Sequence, residues 1–255
     1  MTRHHPAPAR CLSWILAAAL LLASVAIAAA SMPAPVLAGP IATGSAASAV
    51  PGIETEVDAA DVPACIVADD PAPLRATSQW RSTLVDTQYR LQRRYVPPHL
   101  VSTARAGLNG GSYVRRLVRD DLRAMVRAAR RAGISLHVNS AYRSYRDQKR
   151  LYEAMVARLG PEKAARRAAR PGHSEHQLGT ALDLANTAGA YTWLRDHGWR
   201  YGFLVSYPKG ARSISCYRYE PWHVRYYGRE RAAAIHRSGL VPRAWLWIHA
   251  FGGTG

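Results

Sequence analysis

Cysteine is scarce in this chain of 255 residues: there are three, and none stand at the short paired spacing that builds a zinc ribbon. No Gly-x-Ser-x-Gly elbow is present, which removes the nucleophile of the α/β-hydrolases. No Gly-rich phosphate loop is found either, so the sequence offers no nucleotide site of that kind. No internal repeat recurs, which argues against a solenoid or a propeller. Acidic residues are few, 17 Asp and Glu against 34 Lys and Arg, and none precedes Glu54. The formal net charge is +17, and nearly all of the positive charge is arginine.

What is present divides the chain into three parts. Residues 1–31 carry Arg3 and Arg10, then an almost unbroken apolar run from Leu12 to Ala30. A basic start, an apolar stretch and the small residues Ala28, Ala29 and Ala30 describe a secretory signal, or a membrane anchor if it stays uncleaved. Residues 32–79 are rich in Ala and Pro and are expected to form a flexible lead-in. Residues 80–255, starting near Trp80, are expected to hold one folded domain, and an apolar content of 48% is enough for its core. Export places the protein outside the cytoplasmic membrane, secreted or in the cell envelope. There, a basic surface meets anionic wall polymers or lipid, and no nucleic-acid recognition motif accompanies the charge. Cys65 and Cys216 remain beyond the signal and are available for one disulfide in an oxidising compartment.

Periodicity sets out the elements. Val114, Leu117, Val118, Leu122, Met125, Val126 and Ala129 recur at steps of three and four, predicting a helix over 112–132 closed by Gly133. Ile134, Leu136 and Val138 alternate with polar residues as a half-buried strand. Ser144 is placed to cap a helix over 145–159, and Pro161 opens a short basic helix to about Ala169. A loop over 172–179, strands over 180–184, 203–207 and 217–226, and helices over 191–197, 228–237 and 242–250 complete the reading. Helices and strands mix without a βαβ rhythm, so the class is α+β, a small mixed or antiparallel sheet flanked by helices.

Two stretches carry chemistry. In His173-Ser174-Glu175-His176-Gln177-Leu178-Gly179-Thr180-Ala181-Leu182-Asp183, an imidazole and a carboxylate stand seven apart across small residues that let the backbone turn closely. Both are good zinc ligands, and three protein ligands with an open fourth position define a catalytic zinc site. Tyr219-Glu220-Pro221-Trp222-His223 supplies a second imidazole, with Glu220 three residues before it as a base for proton transfer. Among their neighbours, His173 reads as an exposed loop residue and Trp222 as a packing residue. Tyr217, Tyr219 and Tyr226 either line a cleft or face the core.

The joint pattern resembles a known family. Ser174-x-His176-x-x-Gly179-x-Ala181-x-Asp183, followed some forty positions later by Glu220 and Trp222-His223, looks like the zinc D-alanyl-D-alanine carboxypeptidases of the VanY type. Upstream, Ser140-Ala141-Tyr142-Arg143-Ser144-Tyr145-Arg146-Asp147-Gln148 is similar to that family's substrate-binding segment, and the likeness runs from about Asp86 to Gly239. The resemblance implies the hedgehog/D,D-peptidase fold, Zn2+ on His176, Asp183 and His223, and Glu220 as general base. It also implies that Arg143 meets the carboxylate or the polarised carbonyl of a peptidoglycan stem peptide. Gln148 would add a neutral donor, and Ser174 would donate to the same carboxylate. The alternatives are a peptidoglycan endopeptidase or L,D-carboxypeptidase of the same fold, or a zinc-containing wall-binding module without turnover.

Overall fold

In a computed structural model of the chain, the described residues are 62–165 and 167–250. The expected signal and most of the lead-in lie outside them. Two short ribbons precede the main sheet. Strands β1 (Asp70–Pro71) and β2 (Tyr89–Arg90) pair in parallel, and β3 (Leu100–Ser102) pairs antiparallel with β4 (Tyr113–Arg115). The main sheet has four antiparallel strands in the order β5 (Val138–Ser140), β6 (Ala181–Leu184), β8 (His223–Tyr226), β7 (Phe203–Val205). The helices are α1 (Arg119–Arg131), α2 (Tyr145–Leu159), α3 (Pro161–Ala165), α4 (Ala190–His197), α5 (Arg212–Ser215), α6 (Arg229–Ser238) and α7 (Pro242–Ala250). The class is α+β, as the sequence implied. Among the described residues no helix is long and apolar enough to cross a membrane.

Helix α1 buries Leu122, Met125, Val126 and Ala129, one stripe at helical spacing, against the sheet. Asp120 and Asp121 in its first turn and Arg130 and Arg131 in its last complement the helix dipole. The expected start at 112 is wrong by about two turns. Tyr113–Arg115 is a strand, because Val114 and Val118 satisfy the four-residue step whether or not the backbone between them is helical. Helix α2 has the expected bounds: Ser144 Oγ accepts from the Asp147 amide at 3.2 Å, and Gly160 closes the other end. The strand expected at 217–226 forms only from His223 onward. Pro221 has no N–H for a ladder, and Cys216 adopts φ +68, which turns the chain before Tyr217.

The sheet's two faces have different tasks. Leu182, Leu184, Val224 and Tyr226 point into the core over α1. The alternate residues Asp183, His223 and Arg225 therefore point to the opposite face. In the register, Ser140 stands opposite Asp183 and Asp183 opposite His223, so one transverse row spans three strands.

The lead-in expectation needs correction where the structure describes it. Residues 62–79 are fastened down by the Cys65–Cys216 disulfide, by the β1–β2 pairing, and by Asp69 at 3.0 Å from Arg170 and 2.9 Å from His173. Their Pro and Ala content suggested a tether, but the anchoring comes from residues far away in sequence. His173 is correspondingly buried, not exposed. Its Nδ1 lies 2.7 Å from the Asp86 carbonyl oxygen and its Nε2 on Asp69.

Candidate metal centre

A 3-10 turn at Glu175–Leu178 delivers His176. Ser174 caps it, with Oγ accepting from the His176 amide at 3.4 Å, and Gly179 ends it at φ +70. A side chain at Gly179 would put its Cβ 2.9 Å from Pro97 and 3.0 Å from Arg115, so the turn requires glycine. Asp183 and His223 arrive from β6 and β8 as direct register partners. Three elements distant in sequence thus converge on one spot.

One atom from each of His176, Asp183 and His223 lies within 4.8 Å of the others. His176 Nε2 is 3.1 Å from Asp183 Oδ2, and His223 Nδ1 is 3.0 Å from Asp183 Oδ1. Ligand atoms around one zinc-sized cation, each about 2 Å from it, lie roughly 3–4 Å apart, so the donor set fits such an ion. The outer contacts fit it too. His176 Nδ1 donates to the Ala141 carbonyl at 2.7 Å, which leaves Nε2 as the free donor atom. His223 Nε2 sits 2.9 Å from Glu175 Oε2, which leaves Nδ1 turned to Asp183 and His176.

Glu175 is a functional residue that the sequence reading passed over. It is buried. Its Oε1 accepts from Arg225 Nη1 at 2.9 Å, and its Oε2 also accepts from Ser206 Oγ at 2.6 Å. Arg225 is fully buried and donates through Nη2 to the Trp80 and Thr83 carbonyls at 2.9 and 2.8 Å. The available signal was placement: Glu175 adjoins a candidate ligand, and Arg225 lies two residues past His223 on the same strand face.

Electrostatics follow from burial and pairing. Burial opposes the Asp183 charge, but His176 and His223 more than offset it and hold the carboxyl far below the ordinary range. Burial likewise opposes charge on His223, yet its bonds to Asp183 and Glu175 prevail and push it up to about 10. Burial lowers His176. Glu220 is raised, chiefly by burial, against the pull of His223.

These groups line a pocket of about 180 Å³ that also takes in Arg143, Gln148, Ser174 and Glu220. All seven residues singled out from sequence therefore meet there. Arg143 Nη2 donates to Ser140 Oγ at 2.9 Å and to Asp183 Oδ2 at 3.4 Å. Its Nη1 donates to Gln148 Oε1 at 2.6 Å. Gln148 departs from expectation: its Nε2 donates to the Ala169 carbonyl at 2.6 Å, so both ends of the buried amide are engaged within the protein. It holds Arg143 and has no spare donor aimed at a substrate.

The family model described as VanY, D-alanyl-D-alanine carboxypeptidase, matches residues 111–229. YodJ of Bacillus subtilis (strain 168), named as a carboxypeptidase, is 35% identical over 174 residues, covering 62% of this chain and 64% of that protein. A D-alanyl-D-alanine carboxypeptidase of Enterococcus faecalis (strain ATCC 700802 / V583) is 31% identical, with 66% of each chain covered. The chain thus spans just under two thirds of the length of these curated relatives. Among solved structures, VanYB in complex with D-alanine-D-alanine superposes with a TM-score of 0.60 at 30% identity, covering 67% of this chain and 99% of that one. A D,D-pentapeptidase VanY in complex with Zn(II) gives 0.59 at 30% identity, with 66% and 99% covered. The LD-carboxypeptidase LdcB gives 0.60 at 30%, with 71% and 97% covered.

Proposed function

The chain belongs to the VanY family of D-alanyl-D-alanine carboxypeptidases, and from that premise we propose that it removes the terminal D-Ala of peptidoglycan stem peptides in a zinc-dependent hydrolysis. The observation that carries this reading is the convergence of His176, Asp183 and His223 beside Arg143 and Glu220 in one pocket. His176 Nε2, a carboxylate oxygen of Asp183 and His223 Nδ1 would hold the zinc. When bound, the ion supplies a Lewis acid for the scissile carbonyl and for water.

The chain's own residues do the rest. Glu220, largely desolvated and raised above an ordinary carboxyl, accepts a proton from water and returns it to the leaving amine. Arg143, held by Gln148 and Ser140, presents a fixed cation to the substrate's carboxylate or to the oxygen that gains charge. Ser174 lines the same pocket with its hydroxyl beside the turn it caps. The enzyme would act outside the cytoplasmic membrane, and the Cys65–Cys216 disulfide supports an oxidising compartment. Its net charge of +17 supports retention on anionic wall polymers.

Two measurements test the reading together: metal content of the purified protein, and D-Ala release from a defined wall pentapeptide with and without chelator. Glu220→Ala should keep its zinc and lose about 10²–10⁴-fold in kcat. Full activity in that variant, or turnover unaffected by complete metal removal, would overturn the assignment. One observation favours a second reading, L,D-carboxypeptidase activity: the LD-carboxypeptidase LdcB superposes as well as VanYB does. Release of D-Ala from a tetrapeptide but not from a pentapeptide would select it.

A further inference from the structure

The pocket has an inner and an outer half of different character. The inner half holds the presumptive ligands with Arg143 and Glu220, where carboxylates and cations balance. The outer half is walled by Leu151 and Met155 of α2, by Arg167 beyond α3, and by Arg218 and Trp222 before β8. No carboxylate lines that outer half. Arg167 is exposed, and among the described residues its guanidinium makes no hydrogen bond or ion pair. Arg218 lies over the Trp222 ring, 5.7 Å from its centroid, with its side chain about half exposed (47%). Its one acidic neighbour is Glu220 at 3.6 Å, longer than a hydrogen bond. Two cations at the mouth of a pocket thus stand without a closely bonded anion, between apolar walls suited to a peptide.

We propose that Arg167 and Arg218 form a second subsite, which holds a side-chain carboxylate on the residue immediately upstream of the D-Ala–D-Ala unit. This rests on the proposed function and specifies its substrate class. The reacting bond must reach the metal centre at the inner end, so the preceding residue, only one extended step of about 3.5 Å away, lies toward the mouth. A planar guanidinium takes a carboxylate through two parallel hydrogen bonds and has no comparable partner in a carboxamide or an amine. The enzyme therefore distinguishes wall peptides by charge at that position, favouring a free carboxylate over its amidated form.

An isosteric pair of substrates provides the test: N-acetyl-L-Glu-D-Ala-D-Ala and N-acetyl-L-Gln-D-Ala-D-Ala, given to the full zinc-loaded chain. The wild type should favour the glutamyl peptide in kcat/KM by roughly three- to tenfold at low salt, with the difference in KM. The preference should shrink as salt approaches about 0.5 M, since both arginines are partly solvated. Arg167→Gln should bring the ratio close to one, whereas Arg130→Gln, on the exposed end of α1, should leave it intact. Arg218→Gln should reduce it too, but that variant also alters the surroundings of Glu220, so Arg167 decides. Equal rates on both peptides in the wild type, or an unchanged preference in Arg167→Gln, overturn the subsite and leave the carboxypeptidase reading standing. No D-Ala from either peptide overturns both.

Discussion

His223 Nε2 lies 2.9 Å from Glu175 Oε2 in a setting where both side chains are almost wholly buried. The contact fixes which imidazole nitrogen faces Asp183, so Glu175 acts on the metal centre through His223 without being a ligand. Carboxylates in this position raise the basicity of the imidazole and lock its ring, and removing one typically weakens metal affinity about 10–100-fold. Glu175→Gln keeps the shape and loses the charge. It should raise the zinc dissociation constant by that factor, measured by competition with a chromogenic chelator, and regain much of its turnover at saturating zinc. Unchanged affinity would show that Glu175 serves only Arg225.

The same carboxylate should shape acid stability. Burial would raise its pKa, but Arg225, His223 and Ser206 outweigh that and hold it to about 2, below the unfolded value near 4.5. A group depressed in the folded state contributes stability that is complete above the unfolded pKa and disappears as pH falls toward the folded one. In metal-free protein, the difference in Tm between wild type and Glu175→Gln should therefore narrow as pH drops from about 4.5 toward 2. Glu175→Ala, which strands Arg225 as a buried unpaired cation, should cost about 3–5 kcal/mol at neutral pH. A gap between wild type and Glu175→Gln that stays constant with pH would contradict the linkage.

Much of the centre was legible because its chemistry is local. His176, Asp183, Glu220 and His223 sit in two short stretches whose residue types suit one metal, and Ser144 announces α2 by its own cap. What escaped depends on long-range contacts. Asp69 and His173 meet across 104 positions and Arg225 reaches carbonyls more than 140 residues away, so burial of those polar groups has no signature in periodicity. The start of α1 was misread for a different reason: the spacing of Val114 and Val118 suits a helix, while pairing with Leu100–Ser102 decides otherwise.

Gln148 offers a test of positioning as opposed to substrate contact. Its amide bridges Arg143 and the Ala169 carbonyl, and no other side-chain acceptor among the described residues takes the Arg143 Nη1 proton. Losing a hydrogen bond to a charged group is worth about 1.5–3 kcal/mol. Gln148→Leu should therefore lower kcat/KM by roughly 10–100-fold while zinc affinity stays at the wild-type level. Loss of zinc along with activity would mean the substitution had disturbed the 3-10 turn instead, since the Arg143 amide donates to the His176 carbonyl at 3.3 Å.

The disulfide ties a segment with little core of its own to the wall of the pocket. Cys216 immediately precedes Tyr217 and Arg218, both of which line that pocket, and Cys65 belongs to the stretch that carries Asp69 onto His173. Its closure spans 151 positions, and cross-links over loops of that size typically stabilise by about 2–4 kcal/mol. Reduction, or the paired change Cys65→Ser and Cys216→Ser, should lower Tm by several degrees. Freed of its cross-link, the wall should also loosen around the substrate, so KM should rise while metal content is kept. Melting that is indifferent to reductant would show that the Asp69, Arg170 and His173 contacts hold the segment unaided.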